Sequence, residues 1–534
     1  MSGLMPIRYF AVVIELEVHQ QLRAFLRSQG EPYWPHHLSM ARLVARAFRV
    51  GRSAVIQTGI PSVGAHGGHR LSYLTPVFIW PGPAILVAPE PIQQRLLLVE
   101  IPQMQQWIET NKTIRTVTDG ASGGWRWPGA DFQGLLIISP RLWLEDVLGD
   151  RTQIPPGIPT IIDGADDLES WASEQLSITL QSWDWNQLMI SRPDCAAIIR
   201  DVRVQLTHSL FQHPANPYGC SMLESEEEKI LQGLYHTLQQ RNGTATISNH
   251  SPCSELPDVW IHFWQQFHSG NRLLWAAIDR KLGQFTLCCT PVEVASALAP
   301  IWDQQPVVLI GGALDLETSA PIYRQQLGLG DVTTLKFSPD RQNEMIQLYL
   351  PEGIPMPNTP QFEAALLEQL RTLLCIAATT PGPIVILVGD MPLKPRLGSI
   401  LAAEFGSRVQ VEKAQLDEQS ILITGWEFWR EHQGTLPPPK LLAIATLPIP
   451  SLENPLVAGR VAHYKRERQD WFRLYLLPTA LRELQRATAP VRQRQGIVAL
   501  LDSRVLYRSY GTQVLSALSP LARIDYLDAT SFVN

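Results

Sequence analysis

Short apolar runs recur along the chain, each bracketed by proline, glycine or polar residues. In the first third they are Ala54-Val55-Ile56, Ala84-Ile85-Leu86-Val87, Leu135-Leu136-Ile137-Ile138 and Thr160-Ile161-Ile162. They are rich in β-branched residues and too short for stable helices, which predicts buried strands. Leu38, Met40, Leu43, Val44, Ala47 and Phe48 fall on one face at helical spacing, predicting an amphipathic helix over 35–50. A second helical stretch runs from Pro91 to Ile108. Apolar strands alternating with helices predict a parallel α/β sheet covered on both faces.

The texture changes near Asp166. Long helical patterns, Cys195 to Gln212 and Glu224 to Gln240, dominate the middle and end at the polar turn Arg241-Asn242-Gly243-Thr244. Strand texture returns with Val307-Val308-Leu309-Ile310, Ile384 to Val388, Ile421-Leu422-Ile423 and Leu441 to Ala445, around a helix from Gln361 to Thr379. The expected organisation is an α/β lobe over 1–165, a mainly helical insertion over 166–290 and a second α/β lobe over 291–534. A length of 534 residues fits this division, being too long for a single core.

Composition narrows the class. Hydrophobic residues make up 45% and charged residues 18%, as in a globular protein rather than a disordered one. The run Tyr9 to Ile14 meets Glu15 at once and is no secretory segment, and the apolar stretch from Leu373 to Val388 is broken by Pro381-Gly382-Pro383. These features predict a cytoplasmic protein with no membrane partner. Six cysteines lack C-x-x-C spacing and read as free, buried thiols, with Cys288-Cys289 as core strand residues and no metal site. The net charge of −6 argues against a chain that coats nucleic acid throughout. Between Arg460 and Arg523, however, twelve Lys/Arg face four Asp/Glu. That basic segment, with Lys465, Arg466 and Arg468 close together, fits either a localised polyanion contact or a solvated helix face.

The segments with chemical meaning come in a fixed order. After the strand at 54–57 stands Gly64-Ala65-His66-Gly67-Gly68-His69-Arg70, followed by Leu71-Ser72-Tyr73-Leu74. After the strand at 160–162 stands Asp163-Gly164-Ala165-Asp166-Asp167. Then come Ile310-Gly311-Gly312-Ala313-Leu314, Phe428-Trp429, Leu447-Pro448-Ile449-Pro450 through Gly459-Arg460, Gln485 through Arg492, and Gly496 through Arg504. That order and spacing resembles the DinG-type (XPD-like) superfamily 2 DNA helicases. The resemblance covers about Trp34 to Asp163 and Pro306 to Leu518, and it implies two RecA-like motor lobes with ATP and Mg²⁺ as cofactors of an active member.

On the register of that resemblance, most residues that handle ATP are replaced. A phosphate loop needs backbone N–H groups exposed by glycines, a lysine for the phosphates and a hydroxyl for the metal. Gly64 and Gly68 are kept beside Gly67, His66 replaces a glycine, His69 stands at the lysine and Arg70 at the hydroxyl. The bland reading of this stretch is a Gly-rich turn with a basic edge. Asp163 keeps the metal-facing carboxylate, Gly164 replaces the glutamate that activates water, and Asp166 stands at a histidine. An acidic helix start would account for these carboxylates equally well. Gln433 replaces an aspartate. Gln485 and Arg492 match, while Ala489 replaces an arginine that would reach the γ-phosphate. An iron–sulfur cluster is not expected, since no cysteine lies between Arg70 and Asp163.

For nucleic acid, Trp125-Arg126-Trp127 pairs aromatics with a cation, as a base-stacking loop would, or as a loop pinned to its lobe by tryptophans would. Three functions remain open. The first is a helicase homologue that binds nucleic acid, single-stranded DNA in particular, with impaired or lost ATP hydrolysis. The second is an active ATP-dependent helicase in which His69 or Arg70 grips phosphate, Asp163 and Asp166 hold metal, and Arg492 reaches across. The third is a protein-binding scaffold that uses the helical insertion.

Overall fold

The computed structural model describes residues 14–29, 34–59, 68–108, 112–119, 125–149, 153–242, 256–338, 345–378 and 380–526. The chain divides into two compact units. One takes in residues 1–168, 295–449 and 475–534, and the other 169–294 and 450–474.

The first unit is built on two seven-stranded, all-parallel sheets, giving two RecA-like lobes. In the first sheet the order from edge to edge is Thr333–Lys336, Ala54–Gln57, Val307–Gly311, Thr160–Asp163, Ala84–Val87, Leu135–Ile138 and Ile114–Val117. In the second it is Val409–Val411, Ile421–Thr424, Ile384–Leu387, Leu441–Ile444, Ile497–Leu500, Ile346–Tyr349 and Leu521–Ile524. The central strands are buried at every residue, which is why they read as unbroken apolar runs. Helix His37–Val50 lays Met40, Ala41, Val44, Ala45 and Phe48 on the first sheet and stops at Gly51, whose left-handed φ of 66° returns its N–H to the carbonyls of Ala47 and Phe48. The helical stretch expected from Pro91 to Ile108 is an unbroken helical run over 90–105, with a π-type turn over Leu96–Glu100 between Glu90–Arg95 and Ile101–Gln105.

One expected boundary needs correction. The second lobe does not begin at 291, because strands Val307–Gly311 and Thr333–Lys336 complete the first sheet on either side of Ala54–Gln57. Val307–Gly311 is buried on both faces and fits only a sheet interior, between Ala54–Gln57 and Thr160–Asp163. The 166–290 region is mainly helical and also carries a small sheet. Helices Ser182–Ser191, Ala196–Gln212, Ser225–Asn242 and Asp258–Phe267 pack with an antiparallel sheet of Ile178–Leu180, Gln284–Thr290, Leu273–Asp279 and Cys220–Met222.

That second unit also includes helix Pro455–Arg466, which starts where the Asn454 side chain accepts from the Leu456 N–H at 3.0 Å. Its core is aromatic, with Trp185 and Trp260 edge-to-face at 5.0 Å and Phe263, Trp264 and Phe267 beside them. Cys288 and Cys289 are buried on the sheet, as are Cys195 and Cys220 nearby, but Cys375 is exposed and departs from the expectation of buried thiols. Cys253 lies outside the described residues. No helix among the described residues is long and apolar enough to cross a membrane.

Candidate nucleotide site and nucleic-acid surface

The first lobe brings the candidate residues together through three parallel strand ends. The Thr58 N–H donates to the Gly311 carbonyl at 2.9 Å, Gly59 to Gly312 at 3.1 Å, and Gly164 to Ile310 at 3.1 Å. Helix Arg70–Ile79 begins directly after His69, so His69, Arg70 and Tyr73 share the turn that meets Asp163 at the end of Thr160–Asp163. Gly64 and Gly67 lie outside the described residues.

Arg70 does not turn outward. Its Nε donates to Asp163 Oδ2 at 3.1 Å, and the Tyr73 hydroxyl donates to the same oxygen at 2.8 Å. Arg70 Nη1 reaches Glu100 Oε1 at 3.5 Å, and Glu100 also pairs with Arg95 at 2.6 Å. His69 Nε2 stands 3.7 Å from Asp163 Oδ1, too far for a hydrogen bond, and neither ring nitrogen has a hydrogen-bond partner among the described residues. His69, Arg70, Tyr73 and Asp163 are all buried. Burial alone would raise the Asp163 carboxyl, but the His69 ring, the Arg70 guanidinium and the Tyr73 hydroxyl overrule it and hold the group well below the ordinary carboxylate range. Burial likewise opposes the charge on Arg70, and Asp163, Tyr73 and Glu100 together more than offset it. Behind this cluster His37 Nδ1 meets the Ser72 hydroxyl at 2.7 Å, and burial together with His69 and His36 pushes the His37 ring down to about 3.

The donor set does not fit a magnesium ion. A cation occupies the position where the resemblance places a metal-binding hydroxyl and takes one oxygen, Oδ2, of the carboxylate that would hold the metal's water, while Oδ1 has no hydrogen-bond partner among the described residues. No group of three or more His, Cys, Asp or Glu among the described residues is arranged to hold a metal. Gly164 stands where the resemblance places a water-activating glutamate. Gly164 sits at φ 94°, ψ 27°, a left-handed conformation that a side chain strains.

The remaining candidates line a different space. A cavity of about 280 Å³ lies between the lobes of the first unit, bordered by Gln57, Gly59, Asp166 and Asp167 on one side and by Gln485, Arg486, Ala489 and Arg492 on the other. His69, Arg70 and Asp163 are not among its walls. Asp166 spends its carboxylate on backbone, accepting from Gly312 at 2.9 Å and Ala313 at 2.8 Å, and its burial raises its carboxyl. Gly311 is required here, since a Cβ would come within 2.6 Å of Asp166 Oδ2. Arg492, expected to reach across, instead donates to the carbonyls of Leu518, Ser519 and Pro520 in its own lobe. A guanidinium that the sequence reading passed over does reach across: Arg486 Nη2 donates to Asp167 Oδ1 at 2.8 Å.

The nucleic-acid candidates are not among the walls of this cavity. Lys465, Arg466 and Arg468 are exposed at the end of helix Pro455–Arg466, with Lys465 Nζ 5.3 Å from the Trp471 ring centre. Arg126 is exposed between half-buried Trp125 and Trp127, and Trp127 packs edge-on against Phe132 at 5.5 Å.

Comparison with known proteins agrees with this architecture. No family model matches the chain. It is 23% identical over 255 residues to the ATP-dependent DNA helicase YoaA of Escherichia coli, and 23% identical over 256 residues to YoaA of Haemophilus influenzae. Each match takes in 45% of this chain and 40% of the relative, so the chain spans less than half the length of the curated relatives it matches. A solved XPD helicase superposes over 92% of this chain and 100% of its own, at a TM-score of 0.55 and 12% identity, and an apo XPD structure does so over 91% at 0.54. The chain is similar in sequence to the YoaA helicases and shares the fold of XPD. At the candidate nucleotide site Arg70 bonds Asp163 and reaches Glu100, and Tyr73 bonds Asp163.

Proposed function

We propose that this protein is a DinG-like helicase homologue that binds nucleic acid, single-stranded DNA in particular, and has lost ATP hydrolysis. The observation that carries the reading is the buried Arg70–Asp163 pair. Phosphoryl transfer in such motors depends on charge placed around the transferring phosphoryl group. Here the candidate cation and carboxylate neutralise each other, Gly164 supplies no base, and Ala489 supplies no cross-cleft arginine. Support for nucleic acid comes from the exposed Lys465-Arg466…Arg468 cluster beside Trp471, from the Trp125-Arg126-Trp127 loop, and from relatives named as DNA helicases.

The test is ATP hydrolysis by the purified protein with and without single-stranded DNA, with Asp163→Ala as the control for contaminants. The expected result is no turnover above that control, alongside DNA binding that weakens steeply with salt. DNA-stimulated turnover lost in Asp163→Ala would overturn the reading in favour of a rearranged active centre.

A further inference from the structure

The contact that spans the cleft has a partner no nucleotide supplies. Arg486 lies on helix Leu477–Arg492 of the second lobe, one turn before Ala489 and on the same face. Its guanidinium crosses to Asp167 of the first lobe, and the two side chains are 13% and 36% exposed. In a nucleotide-driven motor, an arginine from this region reaches a phosphate of the ligand. Here the anion it meets is a carboxylate of the chain itself.

Both ends of the contact are fixed. On the first lobe, Asp167 closes the turn Ala165–Asp167. That turn is anchored by Asp166 on the Gly312 and Ala313 N–H groups, and by the Tyr323 hydroxyl on the Ala165 carbonyl at 2.7 Å. On the second lobe, Arg486 Nη1 lies 3.7 Å from Glu483 Oε1, and Glu483 is held in turn by Arg430 at 3.2 Å. Burial disfavours the Arg486 charge, but Asp167, Asp166 and Glu483 together raise its pKa above the ordinary arginine value. The guanidinium is therefore charged at every accessible pH.

We propose that the Arg486–Asp167 pair is a built-in clasp that keeps the two lobes in contact without a bound nucleotide, so that neither lobe closure nor nucleic-acid affinity responds to ATP or ADP. This rests on the reading that hydrolysis is lost, and it specifies what replaces the ligand as the bridge.

The experiment uses the full chain with Arg486→Glu, Asp167→Arg and the double charge swap. Hydrogen exchange is followed over 164–168 and 483–492, with single-stranded DNA affinity measured with and without ATP or ADP. Wild type is expected to show the same exchange and affinity under every nucleotide condition. Each single variant should speed exchange at both segments about fivefold, the shift expected for loss of one partly exposed ion pair, and the double swap should restore protection. Should Arg486→Glu fail to fold, Arg486→Gln removes the charge with less disturbance and is expected to speed exchange in the same way. Unchanged exchange in the single variants, or no recovery in the double, would overturn the clasp. ATP turnover measured on the same samples separates the two readings. Turnover in wild type together with charge-swap rescue sinks the loss of hydrolysis but not the clasp. Absent turnover with exchange indifferent to Arg486 does the reverse.

Discussion

The Arg70 guanidinium lies 3.1 Å from the Asp163 carboxylate, with both side chains buried, and so sets a fixed cation beside the carboxylate that the resemblance assigns to magnesium. The pair is one unit. Removing either partner strands a charge in a buried site, whereas the intact pair, completed by Tyr73 and Glu100, leaves Arg70 compensated.

Asp163→Asn is therefore expected to destabilise the fold by about 3–5 kcal/mol, since Arg70 keeps its charge and loses its principal partner. Tyr73→Phe removes one donor to an ionised acceptor and is expected to cost about 1.5–3 kcal/mol. Urea unfolding of the two variants against wild type measures both. Equal, small losses would mean the cluster contributes little.

Acid should find the same cluster. The folded Asp163 carboxyl titrates well below its unfolded value of about 3.9. Its contribution is fully present above that value and is lost as pH falls from about 4 toward the folded pKa. Wild-type stability should drop through that window more steeply than that of Asp163→Asn. Parallel pH profiles for the two proteins would contradict the assignment.

Restoring the missing acid should fail. Gly164→Glu places a side chain at φ 94°, at a cost of about 1–2 kcal/mol, and leaves Arg70 and Asp163 paired. The expected outcome is a lower melting temperature with no gain in ATP turnover, checked by thermal unfolding and a phosphate-release assay on one preparation.

The basic cluster makes a separate prediction. Replacing Lys465, Arg466 and Arg468 together by alanine should lower the slope of log affinity against log salt for single-stranded DNA by about 2, at roughly 0.7 per phosphate contact. Trp125→Ala should weaken binding by about 1–3 kcal/mol if bases stack there. Fluorescence anisotropy across a salt series reads both, and an unchanged slope would remove the cluster from the interface.

The parallel sheets were legible because strands buried on both faces leave no polar alternation, as in Leu135–Ile138 and Leu441–Ile444. Membership of a sheet was not legible. Val307–Gly311 looks like any buried strand, and nothing local says that it inserts between Ala54–Gln57 and Thr160–Asp163, both far earlier in the chain. Helix Ile14–Gln29 went unread because only its Ile14 belonged to the apolar run that drew attention. At the site, the substituted positions could be read by register, but the direction of their side chains could not. A basic residue at a loop edge is expected to face solvent, and only the fold reveals Asp163 waiting beneath Arg70. Arg486 was passed over for a related reason. It stands beside the matched Gln485, and its meaning depends on a carboxylate more than 300 residues away in sequence.

A metal ion is borrowed. It arrives with a nucleotide, can be stripped by a chelator, and departs when products leave. The guanidinium of Arg70 is covalently part of the chain. Its charge at this point cannot be titrated by the magnesium level of the surroundings, competed away by another divalent ion or removed by EDTA, and it is renewed only when a new molecule of the protein is made.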